Sequence, residues 1–178
     1  MVSQDQINEW REQYGTVLHL PFSDGRSAYL KQPDKRTLGL AYSRGAKDPL
    51  GISDVLLANC WLGGDEDVKT DVGCLIAVQE LANEIAGKVD CTVVHRDQRV
   101  VVEFVDGHLV ILKEPNREQT SAAMLASRKD PLQMVESILH SCAVKGVQEI
   151  EKSTGHLISL IQVVDEIIGV KTVQVKKI

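Results

Sequence analysis

A chain of 178 residues with 43% hydrophobic and 25% charged residues has the composition of an ordinary globular protein of one domain or two small ones. Its net charge is −5 and no run of Lys or Arg is dense enough to follow a phosphate backbone, which excludes a dedicated nucleic-acid binder; the closing Lys176-Lys177 is too short to count. The polar, acidic start Met1-Val2-Ser3-Gln4-Asp5-Gln6 is no signal peptide and no apolar window is long enough to span a membrane, so a soluble, cytoplasmic protein is expected.

The first predicted element is a helix. Ser3 and Gln6 fit a capping box, Ile7, Trp10 and Tyr14 form a stripe, and Gly15 ends it. A β-hairpin follows, Val17 to Phe22 with Ala28 to Lys31, turning at Asp24-Gly25, which supplies the positive φ of a tight turn; Pro33 closes its second strand. A helix is expected over Asp34 to Arg44. Asp48-Pro49 reads as an N-cap with proline at the first position of the next helix. That helix sets Ile52, Val55, Leu56, Asn59 and Cys60 on one face, and Gly63-Gly64 reads as its end. A solvated acidic loop, Asp65 to Asp71, caps a last helix carrying Leu75, Val78, Leu81, Ala82 and Ile85, with Gly87 at its C-terminal stop. A short β run, Cys91 to His95, comes next.

The pattern then starts again. At an offset of about 82 residues, Phe22 meets Phe104, Asp24-Gly25 meets Asp106-Gly107, and Leu30-Lys31-Gln32-Pro33 meets Leu112-Lys113-Glu114-Pro115. Lys47-Asp48-Pro49-Leu50 meets Lys129-Asp130-Pro131-Leu132, Cys60 meets Cys142, and Gly64 meets Gly146. Glu84-Ile85-Ala86-Gly87 meets Glu166-Ile167-Ile168-Gly169. Gap-free matching through loops and helices alike indicates an internal duplication. The second copy repeats the hairpin at Val100 to Val105 and Leu109 to Lys113 and a helix from Asn116 to Ser127. It then repeats the Met134, Ile138, Leu139 and Cys142 face, a final helix through Leu157, Leu160, Ile161, Val164, Ile167 and Ile168, and a β run at Thr172 to Val175. The expected fold is therefore α+β: an N-terminal helix (1–16) and two tandem units (17–95 and 96–178), each a β-hairpin followed by three helices.

No constellation points to catalysis, a cofactor or a metal. Cys60, Cys74, Cys91 and Cys142 form no Cys-x-x-Cys pair, and the matched Cys60 and Cys142 read as small buried hydrophobes. His19, His95, His108, His140 and His156 lack metal-ligand spacing; none recurs at its partner position, His156 standing where Cys74 does. The acidic loop is no EF-hand, since its sixth and twelfth positions are Thr70 and Ile76. Gly63-Gly64 lacks the companions of a phosphate loop, and no nucleophile motif is present. Trp61 is the one marked asymmetry, matched by Ala143; it either anchors a partner or fills the seam between units. With Leu62 beside it and Trp10 on the first helix, it makes up the expected partner-binding residues.

The second half runs from Asp106-Gly107 through Asp130-Pro131-Leu132 and Ile138-Leu139-His140-Ser141-Cys142 to Val164-Asp165-Glu166-Ile167-Ile168-Gly169-Val170. In this it resembles the small tail assembly chaperones of tailed bacteriophages, which open with a β-hairpin and close on a helix with an Ile-Gly or Leu-Gly stop. The duplication departs from the single unit usual in that family. The resemblance implies a non-enzymatic protein in the host cytoplasm that holds the tape-measure protein soluble and recruits tail-tube subunits. Apolar patches or sheet edges near Cys91 to His95 and Thr172 to Ile178 would do the holding, and a homo-oligomer is compatible with this role. The alternative is a structural subunit of the particle, a connector, tail or capsid-associated protein bound to neighbouring virion subunits.

Overall fold

The structure, a computed structural model, describes residues 2–128, 130–171 and 173. It is α+β and divides into two compact units, Met1–Lys88 and Val89–Ile178. Most of the strand expected at 172–175, and the whole of 174–178, lie outside the described residues.

The first unit opens with α1 (Gln4–Tyr14), capped by the Ser3 hydroxyl, which accepts from Gln6 N, and stopped at Gly15 with φ 76°. Strands β1 (Val17–Pro21) and β2 (Ser27–Lys31) form the expected antiparallel hairpin. Next come α2 (Lys35–Gly45), capped by Asp34, and α3 (Gly51–Cys60). Trp61–Gly64 is not the end of a helix, as its glycines suggested, but a third strand, β3, antiparallel to β2. Asp48 does not cap α3 either. Its carboxylate accepts from Leu50 N in a separate turn, and the helix starts at Gly51. A 3₁₀ turn (Glu66–Lys69), α4 (Val72–Glu80) and α5 (Ala82–Ile85) complete the unit. The single last helix read from the apolar stripe is broken at Leu81, whose ψ of 5° leaves the α region.

The second unit begins with β4 (Cys91–Arg96), which pairs along its full length with β5 (Arg99–Phe104). The boundary therefore falls before this strand, at Lys88/Val89, and not at 95/96. Asp97 and Gln98, with φ of 49° and 62°, make the connecting two-residue turn. The unit continues through β6 (Leu109–Lys113), α6 (Arg117–Ser127) and α7 (Pro131–Cys142), and Asp130 caps α7 as expected, accepting from Leu132 N. Strand β7 (Ala143–Lys145), α8 (Val147–Ile150), α9 (Thr154–Gln162) and α10 (Val164–Ile168) follow, with a break at Val163 between the last two.

The two sheets are built alike. Their orders are β1-β2-β3 and β4-β5-β6-β7. In each, the strand after the second helix beyond the hairpin joins that hairpin through a register shift, between Tyr29 and Leu30 in one and between Ile111 and Leu112 in the other. Each sheet buries one face under its helices. Leu20, Ala28 and Leu30 meet Leu56, Leu57, Cys60, Val68, Leu75, Val78 and Ile85 in the first core. In the second unit Val100, Val102, Phe104, Val110 and Leu112 are the buried sheet residues, and Val135, Ile138, Leu139, Ile150, Leu157 and Leu160 the buried helix residues.

Ser159 secures the start of the second unit. Its hydroxyl, 1% exposed, bonds the Val89 carbonyl and accepts from Val89 N at 3.2 Å. Ser159→Ala will leave both backbone groups of Val89 without these partners. A loss of about 1–3 kcal/mol, read by urea unfolding, is expected; an unchanged midpoint would contradict it.

Candidate functional site

Two regions of the surface carry chemistry beyond packing. One is the outer face of the second sheet. Strands alternate their side chains, so the residues between the buried ones point away from the core. Three rows cross β4, β5 and β6 on this face: Thr92, Glu103 and Leu109; then Val94, Val101 and Ile111; then Arg96, Arg99 and Lys113. The middle row is wholly aliphatic and partly exposed. Its Val101 and Ile111, with Arg96, Asp97 and Arg99, border an open depression of about 440 Å³.

The corresponding face of the first sheet is partly covered by α1. Register partners His19 and Tyr29 stack at 4.5 Å, and the Trp10 ring of α1 lies 5.9 Å from Tyr29. A side-chain carbon on Gly63 would collide with Trp10, so glycine there lets the helix settle on the sheet. Tyr14, one helical turn further on, receives the Lys31 ammonium over its ring at 5.3 Å. The second unit starts only two residues before its first strand, and among the described residues no such helix precedes it.

The expected partner-binding residues are thus placed differently from one another. Trp10 serves as part of this helix cover. Trp61 is half-buried against the core of its own unit, with the Lys69 ammonium 4.1 Å above its ring. Leu62, next in β3, is half-buried as well. The structure does not bring the three into one exposed patch. The acidic loop is committed locally: Asp65 accepts from Ser27 N, Glu66 pairs with Lys69, and Asp71 caps α4.

The second region gathers residues that no sequence spacing connected. Asp106, at the β5–β6 turn, has Oδ1 3.1 Å from His108 Nδ1 and Oδ2 3.0 Å from His156 Nε2. His156 comes from the first turn of α9, where Ser153 caps the helix. Its ring is 5% exposed, meets Phe104 edge-on at 4.5 Å and lies 5.0 Å from His108. Burial holds the His156 imidazole below its ordinary pKa, and His108 adds to this, against the opposing pull of Asp106. Desolvation would raise the Asp106 carboxyl, but hydrogen bonds from His108, joined by the electrostatic influence of His156, outweigh it and hold it low. The signal available in the sequence was that His108 and His156 stand where the first unit has Arg26 and Cys74.

Cys60 and Cys142 are sealed in the two cores at 0% and 1% exposure. Burial pushes the Cys60 thiol up to about 11, far from the thiolate a nucleophile needs.

Compared with protein-family models, with curated proteins and with solved structures, the chain matches none. Function therefore rests on the two surface regions themselves. Among the described residues no helix is long and apolar enough to cross a membrane.

Proposed function

We propose that this protein acts by binding other proteins, without catalysis, as a tail assembly chaperone that holds the helical tape-measure protein. The observation that carries the reading is the aliphatic row Val94, Val101 and Ile111 on the outer face of the second sheet. The first unit covers the matching face with an amphipathic helix, so this architecture is suited to take a helix there. The basic row Arg96, Arg99 and Lys113 beside it favours an acidic partner flank.

The internal duplication belongs to the same proposal. It is supported by the shared order of elements, by sheet irregularities in matching places, and by Gly64 and Gly146 at the ends of β3 and β7. On this reading the second copy lost its covering helix, and with it gained a free face.

Co-expression tests the proposal. The tape-measure protein is expected to stay soluble and to co-purify with the wild-type chain. It is expected to precipitate with the double variant Val101→Glu/Ile111→Glu, because two carboxylates would be buried against an apolar helix face. Equal recovery with both chains would refute the role of this face. Stoichiometric protein in purified particles would instead favour a virion subunit.

A further inference from the structure

We propose that Asp106, His108 and His156 form a binding site for a divalent transition-metal ion of the zinc class. One ligand atom from each residue, a carboxylate oxygen and two ring nitrogens, lies within 4.8 Å of the others. Asp106 approaches His156 at 3.0 Å through Oδ2 and His108 at 3.1 Å through Oδ1. Donors around a tetrahedral ion with bonds of about 2.0–2.2 Å stand roughly 3.3 Å apart, so side-chain rotation would draw the three onto one ion.

The state of His156 is the decisive observation. It is nearly sealed from solvent, and among the described residues its Nδ1 has no hydrogen-bond partner. Nε2 lies 3.0 Å from Asp106 Oδ2, near the spacing of two donors that share one ion. A buried polar group left unpaired is costly and calls for an ion or a water. His95 of the same unit shows the alternative, with Nδ1 3.2 Å from Glu114 and Nε2 2.8 Å from the Glu166 carbonyl.

The first unit supports the same conclusion. There Asp24 stands in place of Asp106, and it is satisfied by a built-in cation. The Arg26 guanidinium lies 2.6 Å from Asp24 and 3.4 Å from Asp71. In the second unit Arg26 is replaced by His108, Asp71 by Ser153 and Cys74 by His156. The fixed cation is gone and two imidazoles have arrived around the same carboxylate. Two nitrogens and one carboxylate suit zinc-class ions, whereas calcium and magnesium take oxygen donors. Three protein donors leave a further position open. His108 borders an open depression of about 580 Å³ lined also by Lys145, Gly146 and Glu149, so the ion is reachable from solvent.

The test is isothermal titration of zinc chloride into the untagged, metal-stripped full chain, with cobalt(II) absorption as the second readout. The wild type is expected to bind one ion per chain and to give the visible bands of a tetrahedral cobalt site. Asp106→Asn and His108→Ala are each expected to weaken binding by at least about 100-fold, the upper end of what losing a supporting partner alone costs. Asp24→Asn, in the first unit, is expected to leave affinity unchanged. Circular dichroism checks that the variants fold; His108 is exposed, so its removal spares the core. Absence of saturable one-to-one binding, or binding that survives both substitutions, would overturn the proposal.

Discussion

Gly64→Val and Gly146→Val will each destabilise the unit that carries them by about 2–6 kcal/mol. Both glycines have positive φ, 129° and 85°, where a β-branched residue is strained. Both also press against backbone. A side-chain carbon at Gly64 would overlap the Ser27 carbonyl oxygen, and one at Gly146 the Leu109 carbonyl oxygen. Backbone cannot swing aside as a flexible side chain can, so strain and overlap add. At stabilities of about 0.05–0.15 kcal/mol per residue, such a loss is a large part of what one unit has. Urea unfolding should show the transition of the affected unit moving to lower denaturant. Unchanged transitions would mean that β3 and β7 do not abut β2 and β6 as described.

Neighbouring residues on β6 should respond in opposite ways. Leu112 is fully buried, and Leu112→Ala is expected to cost about 2–5 kcal/mol through lost contacts and a residual cavity. Ile111, one position earlier, points to the outer face, and Ile111→Ala is expected to cost only about 1 kcal/mol or less. Binding should reverse the order: on the proposed function, Ile111 matters to the partner and Leu112 only through folding. Thermal unfolding of the two variants, set beside recovery of the partner, separates these effects. A large stability loss at Ile111 would show that this face is already packed within the folded chain.

Much of the local structure was legible because its signals are local. The Ser3 cap, the Asp24-Gly25 and Asp106-Gly107 turns, the Asp130-Pro131 helix start and the stops at Gly87 and Gly169 each depend on a few adjacent residues. The core faces of α3 and α7 followed largely from helical periodicity: Leu56, Cys60, Ile138 and Cys142 are buried, but Asn59, set on the same face, is exposed. The breaks at Leu81 and Val163 were not legible, because the apolar stripe runs on across them.

By itself, then, the sequence determined the α+β class, the hairpin-then-helices order, and most of the residues that turn, cap and fill the cores, the Asp48 cap excepted. The structure decided three further things. Trp61–Gly64 and Ala143–Lys145 are strands only because β2 and β6 offer them open hydrogen-bonding edges; segments this short carry no periodicity. Cys91–Arg96 reads as a strand from its residues, but the sheet it enters depends on β5, which pairs with it through the Asp97-Gln98 turn. The Asp106, His108 and His156 cluster exists because α9 lands on the β5–β6 turn. For the third strands and for the cluster the deciding interaction joins residues far apart in the chain, so no local pattern could have announced it; the β4–β5 turn is local, but Asp97-Gln98 lacks the glycine that marked the other two hairpins.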